Sequence, residues 1–123
     1  MASMTGEGLV KAQVKELLDH LKAYYFMPVP TGMGAKTLDF LCCVRGQFVG
    51  IETKKPGSKG PTKLQSLCIE EINVAEGHAF WCYSVFDCLE QLRESLVFDL
   101  PGELTEKWRK QNERAEAKRN RRR

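Results

Sequence analysis

Two carboxylates and a lysine lie at the ends of two short apolar runs, where their spacing could place them together. Asp39 begins one run, Glu52 and Lys54 end the next, and Arg45-Gly46 separates the two runs. A two-residue turn at Arg45-Gly46 would pair the runs as a hairpin with Asp39 opposite Glu52. Opposite residues share a face of the sheet, with Cβ atoms roughly 5 Å apart. Lys54 shares that face because side chains alternate along a strand.

Like charges set opposite each other destabilise a hairpin, so the Asp39–Glu52 pair predicts a compensating partner. A divalent cation that prefers hard oxygen ligands would supply one. Both faces of the hairpin carry apolar residues, which predicts burial on both sides beneath helices, and a buried charge needs a partner. Two alternatives stay open: acid-x-lysine pairs are common on solvated edge strands, and Gly46 could close a bulged turn that shifts the pairing.

The rest of the chain supplies the elements that would position this hairpin. Apolar residues at helical spacing predict a helix over 7–23, and an aromatic run predicts a strand over 24–27 that ends at Pro28. The other predicted elements are the hairpin over 38–54, a helix over 63–76 capped by Thr62, a strand over 79–83 and a helix over 85–96. This order predicts a mixed α/β sandwich with its functional face at the ends of the second and third strands.

The C-terminal segment differs in composition from the rest. Residues 103–118 are highly charged, and Leu104 and Trp108 are their apolar anchors, which predicts a helix that docks weakly or needs a partner. These anchors, with Leu96, Val97, Phe98 and Leu100, could cover a second copy of the chain or fold back on their own core. We expect a leader-like segment over 1–6, a globular domain over 7–97 and a charged helical extension with a basic tail over 98–123.

Composition limits the classes of protein to consider. A chain of 123 residues with 42% hydrophobic content suits one domain with a small core. No apolar run is long enough to span a membrane, and the odd number of five cysteines, without zinc-ligand spacing, indicates reduced thiols in an intracellular protein. The formal net charge is +3, and five positive charges lie in residues 118–123. Such a tail favours a nucleic-acid partner, although a solvated terminus would have the same composition.

These motifs together resemble the PD-(D/E)xK nuclease superfamily and, within it, the small VRR-NUC nucleases of phages and bacteria. The resemblance covers roughly residues 7–86. It rests on Pro28-Val29-Pro30-Thr31-Gly32, Leu38-Asp39-Phe40-Leu41, Gly46-Gln47-Phe48, Ile51-Glu52-Thr53-Lys54, Pro61-Thr62-Lys63-Leu64-Gln65 and the stretch 75–80. Leu38 stands where the superfamily name leads one to expect proline. The implied fold is a restriction-endonuclease-like αβββαβ core, a mixed α/β sheet flanked by helices, with a C-terminal helical extension.

The resemblance also implies roles for individual residues. Asp39 and Glu52 would bind Mg²⁺ or Mn²⁺ with the Thr53 carbonyl, and Glu7 is the candidate for the helical acid of the family. Lys54 would position the attacking water or stabilise the phosphorane, and Gln65 would orient Lys54 or that water. The expected DNA contacts come from Lys36, Lys55, Lys59, Lys63, Arg119 and Arg121. Few aromatic residues are interleaved with these cations in the sequence, which favours contacts to the DNA backbone over base stacking.

The predicted function is a metal-dependent, structure-selective DNA endonuclease, with branched DNA such as a four-way junction as substrate. A symmetric homodimer would match the two-fold symmetry of that substrate. The expected location is the cytoplasm of a bacterial or phage-infected cell. Two other classes remain: a non-catalytic nucleic-acid-binding module of the same fold, and an interaction protein that recruits a partner through its charged last helix.

Overall fold

A computed structural model describes residues 6–29 and 37–121 of the chain. Four helices and four strands follow one another there in the predicted order. They are α1 (Glu7–His20), β1 (Tyr24–Phe26), β2 (Phe40–Val44), β3 (Gln47–Thr53), α2 (Lys63–Val74), β4 (His78–Cys82), α3 (Val85–Ser95) and α4 (Gly102–Arg121). The strands form one sheet in the order β1-β2-β3-β4, antiparallel except for the parallel pair β3–β4. The predicted mixed α/β fold is confirmed.

The turn between β2 and β3 decides which residues face each other at the site. Arg45 and Gly46 both have positive φ angles, 51° and 80°, the backbone of a two-residue turn that follows the twist of the strands. Phe40 therefore pairs with Ile51, and Val44 with Gln47. This is the predicted register, and the bulged alternative is wrong.

One face of the sheet is largely buried against helices. Phe40, Val49 and Ile51 from the central strands pack there in the same cluster as Leu17 and Leu18 of α1, each almost inaccessible to solvent. Helix α3 also contributes to this cluster, through the residues Val85, Cys88, Leu89 and Leu92. Removing a large aliphatic side chain from such a core costs about 2–5 kcal/mol, so this face supplies the frame that holds the site.

The opposite face is covered in part only. Helix α2 packs on β3 and β4 and approaches closely at Gly50, where a Cβ atom would lie 3.0 Å from Cδ1 of Ile72 and 2.9 Å from Cδ1 of Leu38. Nearer the turn, Phe48 is 49% exposed and Cys43 is exposed as well. The expectation of burial on both faces is therefore wrong at the turn end, because α2 lies over the β3–β4 side of the sheet.

Helix α4 docks firmly on α1 instead of standing apart. The Trp108 side chain is fully buried, and its Nε1 donates to Oε1 of Glu16 at 2.6 Å. One turn further along α4 and one turn back along α1, Gln13 Nε2 donates to Oε1 of Gln111 at 2.8 Å. The two helices therefore run antiparallel, which brings the basic end of α4 toward the start of α1. The expectation of weak docking is wrong, because a buried tryptophan with a satisfied indole N–H anchors the helix.

The same docking uses the apolar surface that we expected to be available to a second copy. Leu96 and Phe98 are buried, and Leu100 and Leu104 pack against the core cluster, while Val97 is 90% exposed. In the described parts of the chain, no helix is long and apolar enough to cross a membrane.

Candidate active site

Three carboxylates converge where β2 begins and β3 ends. Glu7, Asp39 and Glu52 each have a carboxylate oxygen that lies within 4.8 Å of such an oxygen on the other two residues. Glu7 arrives from the first turn of α1, which packs near the β3–α2 connection: a Cβ atom on Gly6 would lie 3.7 Å from Cβ of Lys55. Three segments that are distant in sequence thus build one acidic cluster, composed of Glu7, Asp39 and Glu52.

Glu52 is the buried member of the acidic cluster, with 2% of the residue exposed. Its Oε1 accepts a hydrogen bond from the Asp39 amide at 3.1 Å, and its Oε2 accepts one from Gln65 Nε2 at 3.0 Å. Lys54 Nζ lies 3.3 Å from the same Oε2. Burial raises the pKa of Glu52 to about 7, and the negative charge of Asp39 is the second cause. The positive charge of Lys54 opposes this shift. A cation near Glu52 would relieve both causes.

Asp39 links the two strands at the site. Its Oδ2 accepts hydrogen bonds from the amide of Thr53, at 2.9 Å, and from the hydroxyl of Thr53. Thr53 is fully buried, so the Asp39 carboxylate satisfies two polar groups that have no access to water. The pairing of Asp39 with Glu52, predicted from spacing, is thus made through hydrogen bonds just beyond the β2–β3 ladder.

Lys11 is a contact that our reading of the sequence did not include. Its Nζ lies 3.3 Å from Oδ1 of Asp39, and its side chain is 42% exposed. The available signal was its position four residues after Glu7, which places both on one side of a helix. Seen from the sequence, however, that pair is an ordinary helix-surface pair, and only the docking of α1 reveals Asp39 beside it.

Gln65 joins α2 to the acidic cluster through a single side chain. Gln65 belongs to a capping box with Thr62. Its side-chain Oε1 accepts a hydrogen bond from the backbone amide of Thr62 at 2.8 Å, and its own backbone amide donates to Oγ1 of Thr62 at 3.2 Å. The side-chain nitrogen of Gln65, Nε2, donates to Glu52. Gln65 therefore holds Glu52, which also contacts Lys54, and its predicted role in orienting Lys54 or a water molecule stays a prediction.

The cations predicted to contact DNA are exposed where the structure describes them. Lys55, Lys59 and Lys63 follow β3 and are exposed, as are Arg119 and Arg121 at the end of α4. Lys55 and Arg119, although far apart in sequence, line the same groove. Lys36 lies outside the described residues, so its predicted contact stays a prediction.

The residues present fit a divalent metal ion. The three groups are carboxylates, and their hard oxygen atoms are ligands that divalent cations bind in proteins. Each carboxylate has lone pairs beyond those that accept the hydrogen bonds described. Negative charges this close together, one of them buried, destabilise the folded protein. A bound cation would offset that free-energy cost. The Thr53 carbonyl as a further ligand stays a prediction.

The sheet order, the flanking helices and the acids at the ends of β2 and β3 define a restriction-endonuclease-like α/β domain. A solved structure described as a VRR_NUC domain matches with a TM-score of 0.61 and 23% sequence identity, over 76% of this chain and 100% of the other. Neither protein-family models nor curated proteins match the sequence. The predicted resemblance to VRR-NUC domains is thus confirmed at the level of the fold, and activity has to be argued from the site.

Proposed function

We propose that this protein is a metal-dependent nuclease that hydrolyses phosphodiester bonds in DNA. The observation that carries the proposal is the convergence of Glu7, Asp39 and the buried Glu52 within 4.8 Å, with Lys54 beside them. The likeness of the fold to a VRR_NUC domain supports the same class of reaction. Stability alone does not explain this acidic cluster well, because replacing buried charged groups by well-packed apolar residues is often neutral or stabilising.

Each residue of the site has a role in this proposal. Glu7, Asp39 and Glu52 would hold Mg²⁺ or Mn²⁺, which when bound lowers the pKa of water and offsets negative charge on a phosphate. Lys54 is 15% exposed and held by Glu52, so its ammonium offers a fixed positive charge to the phosphate oxygens or a donor to the attacking water. Gln65 is a positioning residue, because it acts through Glu52.

One observation favours a second function, a nucleic-acid-binding module without catalysis. Lys11 and Lys54 already compensate Asp39 and Glu52, so part of the negative charge is balanced without a metal ion. Such a module would bind DNA in the presence of a chelator and leave it intact when Mg²⁺ is supplied. The nuclease proposal predicts cleavage in that second condition.

The test is cleavage of labelled DNA in Mg²⁺, in Mn²⁺ and in EDTA. Asp39→Asn is the sharpest variant, because the amide oxygen can still accept from Thr53 while the ionic ligand is lost. Glu70→Gln is the matched control, an exposed acid on α2 outside the acidic cluster. We expect cleavage by the wild type and the control in Mg²⁺, and none in EDTA or by Asp39→Asn. Cleavage that persists in EDTA would contradict the proposal.

We extend the proposal to branched DNA cut by a symmetric homodimer, since two sites in fixed relation would permit paired cuts across a four-way junction. The structure removes one argument for the dimer, because Trp108, Leu96 and Phe98 are buried within the chain. Light scattering decides the assembly: a mass near twice 14.0 kDa supports the dimer, and a mass near 14.0 kDa, with and without DNA, excludes it. Junction, flap and linear duplex substrates compared at equal concentration decide the preference.

A further inference from the structure

We propose that the groove beside the acidic cluster binds an unpaired strand of DNA, with one base stacked on Tyr83 and its phosphates against Lys55 and Arg119. The inference rests on the proposed nuclease function, because it names the part of a DNA substrate that enters this site. It also differs from the expectation drawn from the sequence, which favoured backbone contacts without base stacking.

The groove is formed by four segments of the chain. The start of α1, the connection after β3, the residues that follow β4 and the last turns of α4 enclose a cavity of about 820 Å³. Pockets of about 300–1,000 Å³ are typical for ligands up to the size of a cofactor. This cavity is therefore large enough for a nucleotide.

The groove lies beside the proposed active site. Gly6 and Lys55 both line it, and they are the sequence neighbours of Glu7 and Lys54. A strand whose phosphate lies at the acidic cluster could therefore continue directly into the groove. This continuity separates the groove from an unrelated surface cavity elsewhere on the domain.

An aromatic pair leads from the acidic cluster into the groove. Trp81 is the partner of Glu52 in the parallel β3–β4 register, so the two residues lie on the same face of the sheet. The Trp81 and Tyr83 rings have centroids 6.4 Å apart at an angle of 57°. Tyr83 lines the groove and is 49% exposed. An exposed aromatic ring beside a catalytic site is a surface on which a base can stack.

Stacking on Tyr83 requires a base whose face is free. In a duplex both faces of each base are covered by neighbouring pairs, so a base must leave the stack before it can contact a protein ring. An unpaired strand has such bases already. The geometry therefore favours single-stranded DNA over continuous duplex in this groove.

Charge in the groove agrees with a nucleic-acid strand. The lining includes three cations, Lys55, Lys118 and Arg119, against one carboxylate, Glu116. Because α4 runs antiparallel to α1, its basic end lies near the start of α1 and beside Lys55. Lys118 and Arg119 are thus part of a defined surface beside the acidic cluster, where phosphates would pass on the way to the proposed metal ligands.

The first test measures binding to a fluorescein-labelled oligothymidylate and to a blunt hairpin duplex by anisotropy, in EDTA so that no cleavage occurs. We expect Tyr83→Ala to weaken single-strand binding about 5- to 150-fold, the range for loss of one base stack. Tyr83→Phe, which keeps the ring, should bind within about twofold of the wild type. Tyr24→Ala is the matched control, since Tyr24 is 82% exposed on the edge strand β1, outside the groove. Circular dichroism checks that each variant is folded.

The second test uses salt dependence. Lys55→Ala and Arg119→Ala should each reduce the slope of log K against log salt for the oligothymidylate by about 0.7, the value for one phosphate contact in single strands. Lys15→Ala, on the exposed surface of α1, should leave the slope unchanged.

The outcomes separate this inference from the nuclease proposal. Cleavage in Mg²⁺ combined with unchanged oligothymidylate binding in Tyr83→Ala would overturn the groove assignment alone. The same holds if Tyr83→Ala weakens duplex and single strand equally. Selective loss of single-strand binding in Tyr83→Ala, in a protein that cleaves nothing in Mg²⁺, would support the groove and overturn the nuclease.

Discussion

The two ends of strand β3 serve different purposes. At the turn end, Gln47 and Phe48 are exposed, although they belong to the same regular ladder as the rest of the strand. At the other end, residues 51–53 are buried and include the charged Glu52 and the polar Thr53. Burial thus increases toward the end where the side chains are least suited to it.

This difference agrees with the proposed function of the polar end. Each polar group described there has a partner: Glu52 accepts from Asp39 and Gln65, and Thr53 donates to Asp39. Such a network is costly to desolvate, and well-packed apolar residues would often be as stable or more stable. Function commonly explains a site that gives up stability in this way. At the turn end the polar contact between Gln47 and His78 is exposed, so this end is the natural internal control.

The largest expected effect is on cleavage by Asp39→Asn compared with Gln47→Ala. Both residues lie on the hairpin, but only Asp39 belongs to the acidic cluster. We expect Asp39→Asn to lose about a thousandfold or more in kcat, because the loss of a metal ligand removes several kcal/mol of transition-state stabilisation. Gln47→Ala should remain near the wild type. Initial rates at saturating DNA measure both, and equal losses would place the important interactions elsewhere.

Lys54→Met should give the next largest effect. The methionine keeps much of the length of the stem and removes the positive charge, so we expect a loss of about 10²–10³ in kcat, similar to the removal of one transition-state donor. Metal affinity should be largely retained, because Lys54 is not a ligand. Binding of Mn²⁺ followed by electron paramagnetic resonance distinguishes Lys54→Met from Asp39→Asn, and Lys15→Ala is the control. A parallel loss of Mn²⁺ binding in Lys54→Met would assign the lysine to site assembly instead.

Gln65 permits a finer comparison with its own capping partner. Thr62→Ala removes the cap of α2 and should cost about 0.5–2 kcal/mol of stability, while the Gln65–Glu52 hydrogen bond keeps its two partners. Gln65→Ala removes the hydrogen bond to Glu52 and the side-chain bond to the Thr62 amide, while the backbone amide at position 65 can still donate to Oγ1 of Thr62. We expect a similar loss of stability in the two variants and an additional loss of about 10- to 100-fold in metal affinity or activity in Gln65→Ala alone. Equal activity in Thr62→Ala and Gln65→Ala would show that Gln65 acts only as a capping residue.

The sequence predicted the interactions that depend on local rules. The hairpin register follows from Arg45-Gly46 and alternating strands, and the cap at Thr62 follows from residue type and position. Contacts between elements could not be predicted in this way. Lys11 meets Asp39, and Arg119 meets the groove beside Lys55, because α1 and α4 dock in particular orientations. Docking depends on the shape of the whole core. Trp108 is completely buried there, although the highly charged residues around it in the sequence do not indicate this.

The smallest expected effect concerns the stability of the metal-free protein as a function of pH. Because burial and Asp39 raise the pKa of Glu52 to about 7, above its unfolded value of about 4.3, the folded chain binds this proton more tightly. Stability from this group is therefore present at low pH and decreases as pH rises through about 7. We expect the Tm in EDTA to fall more between about pH 5 and about pH 8 in the wild type than in Glu52→Gln, which cannot ionise. Added Mg²⁺ should then raise the Tm of the wild type at the higher pH and leave Glu52→Gln nearly unchanged, since a ligand stabilises only the state that binds it. If the Tm of the wild type and of Glu52→Gln changed in parallel with pH in EDTA, ionisation of Glu52 would not destabilise the buried end of β3. The two ends of the strand would then not differ in this free-energy cost.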